Sequence, residues 1–348
     1  MKKKIIIASV TLSLALLSGY LIIDYTEHHK MEHHETARIQ PVTALHNAFG
    51  PDGDWKVNPL QGGASIFVAE DKAHHKYVVR YFDHLPHQDS DRLIQNQLAA
   101  QDAGYGPKVH WSDSAHSIIV MDFLEPEQPT NVYQNLAILL RKIHQSPIIG
   151  KNGRLWGVIT PMIEGLRKVD QNLLDIDLVK STYDSAIKEV TPNLDSKTCH
   201  RDLNPTNIIF SKGQFYAVDY DSIGIDDPYI DLAQVAIFYC NTQNTSTQEA
   251  EREFLTLYLE HTPTDAELRK FGAFKKIASI SFAIFFLRMG PTNGWGAEPE
   301  LMPFKDYKNL LGQGKINLGD PREKLRFGLI LLSEAMDGKL KYSIFLQS

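Results

Sequence analysis

The chain has 348 residues, 43% hydrophobic and 22% charged, which suffices for one large domain or two lobes and excludes a disordered or collagen-like chain. A net charge of −6 gives no general attraction to nucleic acid, so no nucleic-acid partner is expected. The two cysteines, Cys199 and Cys240, lie in apolar surroundings without a CxxC pair and read as buried thiols, not as a disulfide framework.

The N-terminus carries the clearest local signal. Lys2, Lys3 and Lys4 precede an uncharged run over residues 5–23. As a helix that run would reach roughly 28 Å, about one bilayer core, so it predicts one N-terminal transmembrane helix. A cleavable signal peptide is the rival reading, but "LLSGY" lacks a small-x-small site. Lysines on one flank against Asp24 and Glu27 on the other predict the N-terminus inside and the folded domain outside. Residues 24–40 read as a polar, His-rich solvated linker; metal capture by His28, His29, His33 and His34 is the sharper alternative.

From residue 41 the pattern is that of a folded domain. "WKVNPLQGGASIFVAED" and "KYVVRYFDH" are rich in β-branched and aromatic residues and predict strands, with Gly62-Gly63 in a tight loop. "SDRLIQNQLAAQDAG" predicts a helix capped by Ser90 and ended by Gly104. "KVHWSD" and "SIIVMDFLE" predict a hairpin. Residues 41–125 therefore form a small β-rich lobe with one helix. Beyond it the patterns turn helical in "NVYQNLAILLRKIHQS", "GVITPMIEGLRKV" and "LLDIDLVKSTYDSAIKEV". Two short strands, "NIIF" and "QFYAVDYD", join at Lys212-Gly213, and the rest is helical. "KKIASISFAIFFLRMG" is short for a membrane span and reads as a core helix.

Between those helices lies "TCHRDLNPTNIIFSKGQFYAVDYDS". A loop supplies Asp202, Asn207 follows five residues later, and the hairpin returns Asp219 to the same end with Asp221 beyond it. Phosphoryl transfer from a nucleotide needs one carboxylate to orient and deprotonate a hydroxyl, and an amide and a carboxylate to hold Mg²⁺ on the phosphates. Hard oxygen donors of this kind suit Mg²⁺. Paired hydrolase carboxylates would explain neither the His-x-Asp-x-x-x-x-Asn spacing nor the return hairpin.

These segments resemble the aminoglycoside phosphotransferase and choline kinase superfamily, the small-molecule relatives of protein kinases, over roughly residues 55 to 290. "HRDLNPTN" is similar to the family's catalytic loop and "AVDYDSIGIDDPYIDLA" to its metal-binding segment. "PLQGGASIF" resembles its phosphate-covering loop, "YVVRYF" the strand with the phosphate-binding cation, and "LLRKIHQSP" a helix-end motif of choline-kinase-like members. The resemblance implies a two-lobed protein-kinase-like α+β fold, with a nucleotide-binding lobe over 41–125 and a mainly helical catalytic and substrate lobe over 126–348. It implies ATP and Mg as cofactors, Asp202 as base, His200 as a loop-shaping residue, Asn207 and Asp219 as metal ligands, and Asp221 on a second ion or the substrate. Arg80, Gly62, Gly63 and Ser65 would meet the phosphates, and Asp231 would brace the lobe.

Two positions depart from the family pattern. The small-lobe helix usually carries a Glu paired to the phosphate-binding cation, yet no Glu occurs between Glu70 and Glu125, which leaves Gln95, Gln97 or Asp91 as stand-ins. Ile66 stands where the family often has Asn. The acceptor is expected to be a small cationic alcohol, choline or ethanolamine first, with thiamine and aminoglycosides as alternatives. Five Asp and no Lys or Arg lie between Asp219 and Asp231, and Tyr220, Tyr229 and Trp295 offer aromatic faces for an ammonium. A membrane-tethered binding module with a kinase fold and weak turnover is the reading from another class.

Overall fold

The computed structural model describes residues 39–60, 65–82, 85–147, 153–166, 174–240, 246–291 and 300–336. The N-terminal anchor and most of the His-rich linker, together with Gly62, Gly63 and Trp295, lie outside the described residues. Among the described residues no helix is long and apolar enough to cross a membrane.

The small lobe is one antiparallel sheet of β1 (Lys56–Pro59), β2 (Ile66–Glu70), β3 (Lys76–Tyr81), β4 (Val109–Asp113) and β5 (Ile118–Asp122), in the order β1-β2-β3-β5-β4. Alternation along the strands builds two cores, because successive side chains point to opposite faces. Val79, Tyr81, Ile118 and Val120 meet Ala44 and Leu45 of α1 (Pro41–Phe49) on one face. Ile119 and Met121 meet Leu93 and Ile94 of α2 (His87–Asp102) on the other. The sequence pattern did not disclose α1, which has Pro at its start but no side-chain cap. It also placed Ser90 at the cap of α2. The helix begins three residues earlier, and Ser90 lies buried inside it, accepting a hydrogen bond from the Ser117 hydroxyl at 2.8 Å. Gly104 does end the helix region, with φ +72°.

The larger lobe is helical: α3 (Val132–Gln145), α4 (Leu155–Leu166), α5 (Ile176–Val190), α6 (Tyr229–Tyr239), α7 (Thr247–Leu259), α8 (Asp265–Arg288), α9 (Phe304–Gly312) and α10 (Pro321–Ala335). At its centre is α8, the expected core helix. Ser246 and Thr264 cap α7 and α8, each in a reciprocal box with a Glu three residues on. Both cysteines are buried and free.

Two small ladders position the site. β7 (Ile208–Ser211) and β8 (Gln214–Ala217) form the expected hairpin, and its turn residues Lys212 and Gly213 both have positive φ, 51° and 78°, as a tight two-residue turn requires. The second ladder is absent from the sequence reading. β6 (Lys197–Cys199) pairs with β9 (Gly224–Asp226), Cys199 opposite Gly224. The loop of His200 to Asn207 leaves from β6 and the segment of Asp219 to Ser222 arrives at β9, so the ladder holds the two side by side.

Candidate active site

Asp202 sits half-buried in the loop after β6. Its carboxylate accepts hydrogen bonds from the Asn204 and Asn207 side-chain amides, both at 3.0 Å. Asn207 Nδ2 also donates to the Asp202 carbonyl at 2.9 Å, which turns the Asn207 oxygen away from the base. Burial and the charges of Asp219 and Asp221 push the Asp202 carboxyl up to about 8.

Backbone bonds tie this loop to the metal segment. Val218 N–H donates to the Asn207 carbonyl at 3.0 Å, and His200 Nε2 donates to the Val218 carbonyl at 3.0 Å. Burial holds His200 below its ordinary value, consistent with a neutral ring. Asp219 follows in the left-handed region, φ +66°, which Asp tolerates better than most residues. That turn aims its carboxylate at Arg80, which enters from β3. Arg80 Nη2 donates to Asp219 Oδ1 at 3.0 Å and to Asp221 Oδ1 at 3.1 Å, and its guanidinium lies 4.8 Å from the Phe82 ring centre. Burial works against all three charges. The attraction outweighs it, so Arg80 stays above and Asp219 below its ordinary value.

A buried brace lies beneath the loop. Asp231, in the first turn of α6, accepts the backbone N–H groups of His200 and Arg201 at 2.8 Å each and meets His144 Nε2 at 3.0 Å. The other His144 nitrogen meets the Tyr258 hydroxyl at 2.7 Å. One helical turn beyond Asp231, Gln234 accepts from Leu203 N–H at 2.9 Å and donates to the Arg201 carbonyl at 2.8 Å. These bonds hold Arg201 at φ +66°, an unfavourable conformation for a long side chain that persists only when its surroundings fix it. Asp231 was legible as a brace. Asn204, Gln234 and Tyr258 were not, although the i, i+3 spacing of Asp231 and Gln234 on a helix start places them on one face.

The structure thus brings Asp202, His200, Asn207, Asp219, Asp221 and Arg80 together. Ser65 stands at the edge of the same sheet, where its carbonyl accepts Tyr81 N–H at 2.8 Å. Tyr220, expected near the acceptor, packs instead: it is 3% exposed, donates its hydroxyl to the Ala217 carbonyl at 2.6 Å and rests against His200 and Tyr105. Tyr229 is likewise buried, stacked on Phe274 and covered by Lys270. None of the stand-ins for the missing Glu reaches Arg80. Gln95 is exposed, Gln97 donates to the Pro107 carbonyl and Asp91 accepts from Ser114.

A cleft of about 840 Å³ opens beside the loop at Pro205, walled by Tyr133, Phe238, Tyr239, Phe304 and Phe327. Glu253 and Lys308 are its charged members. Lys308 donates to the Phe238 carbonyl near the end of α6, and burial pulls its ammonium down to about 8.

A base, an amide, two carboxylates and a guanidinium, brought together where β3 of the sheet lobe meets the loops after β6 and β8, are the parts of a phosphotransferase. Residues 56–270, more than half of the chain, match the phosphotransferase enzyme family known as APH, and the chain belongs to that family. It is 22% identical over 210 residues to the LicA homolog of Mycoplasma capricolum, covering 59% of this chain and 80% of that protein. Its fold is that of choline kinase LicA from Streptococcus pneumoniae (TM-score 0.51, 19% identity, 80% of this chain and 94% of that one). It is also that of a choline/ethanolamine kinase family protein from Mesorhizobium loti (TM-score 0.54, 17% identity, 89% and 99%). LicA is known in complex with AMP as well (TM-score 0.52, 18% identity, 84% and 94%).

Proposed function

We propose that the protein transfers the γ-phosphate of ATP, with Mg²⁺, to the hydroxyl of a small cationic alcohol, choline or ethanolamine before others. The observation that carries the reading is the convergence of Asp202, Asn207, Asp219 and Arg80 where the two lobes meet. The AMP complex of LicA supports an adenine nucleotide as donor.

Mg²⁺ fits the donor set. The Asn207 amide spends its nitrogen on Asp202, which leaves its oxygen for a cation beside the carboxylates of Asp219 and Asp221. Asn207 and Asp219 would hold the ion, whose charge would neutralise the phosphates. The chain's own residues do the rest. Arg80 contributes a cation on the nucleotide side. Asp202 accepts the proton of the acceptor hydroxyl, and the two amides on its carboxylate fix its orientation. A base near neutrality is suited to that task. His200 keeps the loop against the metal segment through the Val218 carbonyl.

Support for a cationic acceptor comes from the aromatic cleft beside Pro205, with Glu253 at its wall, and from the kinases of choline and ethanolamine that share the fold. A quaternary ammonium offers no strong N–H donor, so aromatic faces must carry its recognition, at about 2 kcal/mol each once desolvated. The test is a panel of choline, ethanolamine, thiamine, an aminoglycoside and a neutral sugar, followed by ADP release. Turnover of choline or ethanolamine is expected. Preference for the neutral sugar would sink the cation reading.

The uncharged run over residues 5–23 supports a membrane anchor in the same proposal. A reporter fused to the C-terminus tests which compartment the domain occupies. Recovery of the full chain in the soluble fraction after carbonate extraction would remove the anchor.

A further inference from the structure

Arg80 stands on β3 in the small lobe, yet no group of that lobe answers its charge among the described residues. The three carboxylates of α2 are engaged elsewhere: Asp89 with Arg92, Asp91 with Ser114 and Asp102 with Gln101. Asn96, on the buried side of the same helix, is fully buried, and its amide has no hydrogen-bond partner among the described residues. Helix α2 therefore sends no acid to Arg80, whose partners come from the other lobe.

The way Arg80 is held matters. A single nitrogen, Nη2, serves both Asp219 and Asp221, and the ring of Phe82 backs the guanidinium plane. Guanidinium donors are fixed in one plane, so fastening one nitrogen to two acceptors fixes the direction of the others. Nε and Nη1 make no hydrogen bond to the described residues and remain the donors available to an anion. Asp219 is the carboxylate an ion would claim. Asp221, two residues further on, can keep Arg80 in place when Asp219 turns to the ion.

We infer that Asp221 is the positioning residue of Arg80, supplying from the metal segment the carboxylate that the small-lobe helix lacks. The inference rests on the reading of Arg80 as the cation for the nucleotide phosphates. It distinguishes Asp221 from a residue that acts only as a ligand of an ion, because an orienting role operates with no ion present.

The experiment is ADP binding to the full-length protein in EDTA, by calorimetry. Wild type is expected to bind weakly but measurably, Asp221→Asn about tenfold more weakly, and Asp221→Glu close to wild type. In an Arg80→Gln background, Asp221→Asn is expected to cost nothing further, since residues that act as a unit are not additive. Removing a carboxylate near phosphates should by repulsion alone tighten metal-free binding, so the two roles differ in sign. Equal or tighter binding by Asp221→Asn overturns the inference, as does a wild type that binds no ADP in EDTA. A measurement without a variant covers the case in which Asp221→Asn fails to fold. Nitrogen NMR of the ion-free wild type is expected to show slowed rotation of the Arg80 guanidinium, and free rotation would overturn the inference. Failure of the kinase reading appears separately, as absence of Mg²⁺-dependent phosphate transfer by wild type.

Discussion

The five aspartates between Asp219 and Asp231 serve two different regions. Asp219 and Asp221 pair directly with Arg80, whose side chain is 13% exposed. Asp226, Asp227 and Asp231 are fully buried and bound to the scaffold. Asp226 accepts from Leu155 N–H and pairs with Arg154, Asp227 accepts from Asp195 and Tyr229 N–H and pairs with Lys270, and Asp231 holds the catalytic loop. The same residue type within one short stretch is thus machinery at one end and architecture at the other. The field that five acids suggest is largely answered inside the protein. A cation preference for the acceptor rests instead on the aromatic cleft and on the relatives.

Substitutions separate the two groups. The largest effect is expected from Asp231→Ala, which strands two buried N–H groups and His144. A loss of about 3–5 kcal/mol in unfolding free energy, read from denaturant melts, follows from breaking a buried hydrogen-bonded charge. Asp202→Ala, by contrast, should fold and lose a factor on the order of 10² to 10⁴ in kcat, the range for a missing general base. Equal turnover by Asp202→Ala and wild type would remove Asp202 as the base. Asp219→Ala is expected to lose Mg²⁺-dependent ADP binding while its melting changes little. Unchanged Mg²⁺-ADP affinity by calorimetry would take Asp219 out of the metal site.

Smaller effects sharpen the comparison. Lys308 puts a positive charge in the wall of the cleft, so Lys308→Met should lower KM for choline about fivefold, roughly 1 kcal/mol of relieved repulsion, with KM for ATP unchanged. An unaltered or raised choline KM would move the acceptor out of that cleft. The sign of the pH effect at Asp202 can also be worked out. Its carboxyl holds its proton up to about 8 in the fold but loses it near 3.8 when unfolded. The unfolded chain therefore releases that proton first, and the ion-free protein loses stability as pH rises from 3.8 towards about 8. In Asp202→Asn the loss across that window should be smaller, measured by melts in EDTA. An identical slope in both proteins would contradict the raised value.

Much of the site was legible because it is local. The spacing of Asp202 and Asn207 is set within one loop, the turn at Lys212-Gly213 by two positive φ values, and the return of Asp219 by the hairpin. Those features depend on few residues, and the sequence carries each one. What was not legible depends on distant packing. Arg80 and its partners are separated by about 140 positions, so no spacing could reveal that Asp219 and Asp221 pair with it. The β6–β9 ladder joins two three-residue strands too short for a periodic signal. Tyr220 read as an exposed aromatic beside acids, and only its contacts with His200 and Tyr105 show it to be core.

The most direct measurement incubates the full-length protein with choline, Mg²⁺ and ATP labelled on the γ-phosphate, and follows the label. Expected is labelled phosphocholine in step with ADP, absent without Mg²⁺ and slowed by a factor on the order of 10² or more in Asp202→Ala. Label released only as inorganic phosphate, with no acceptor of the panel phosphorylated, would contradict a phosphotransferase acting on small cationic alcohols.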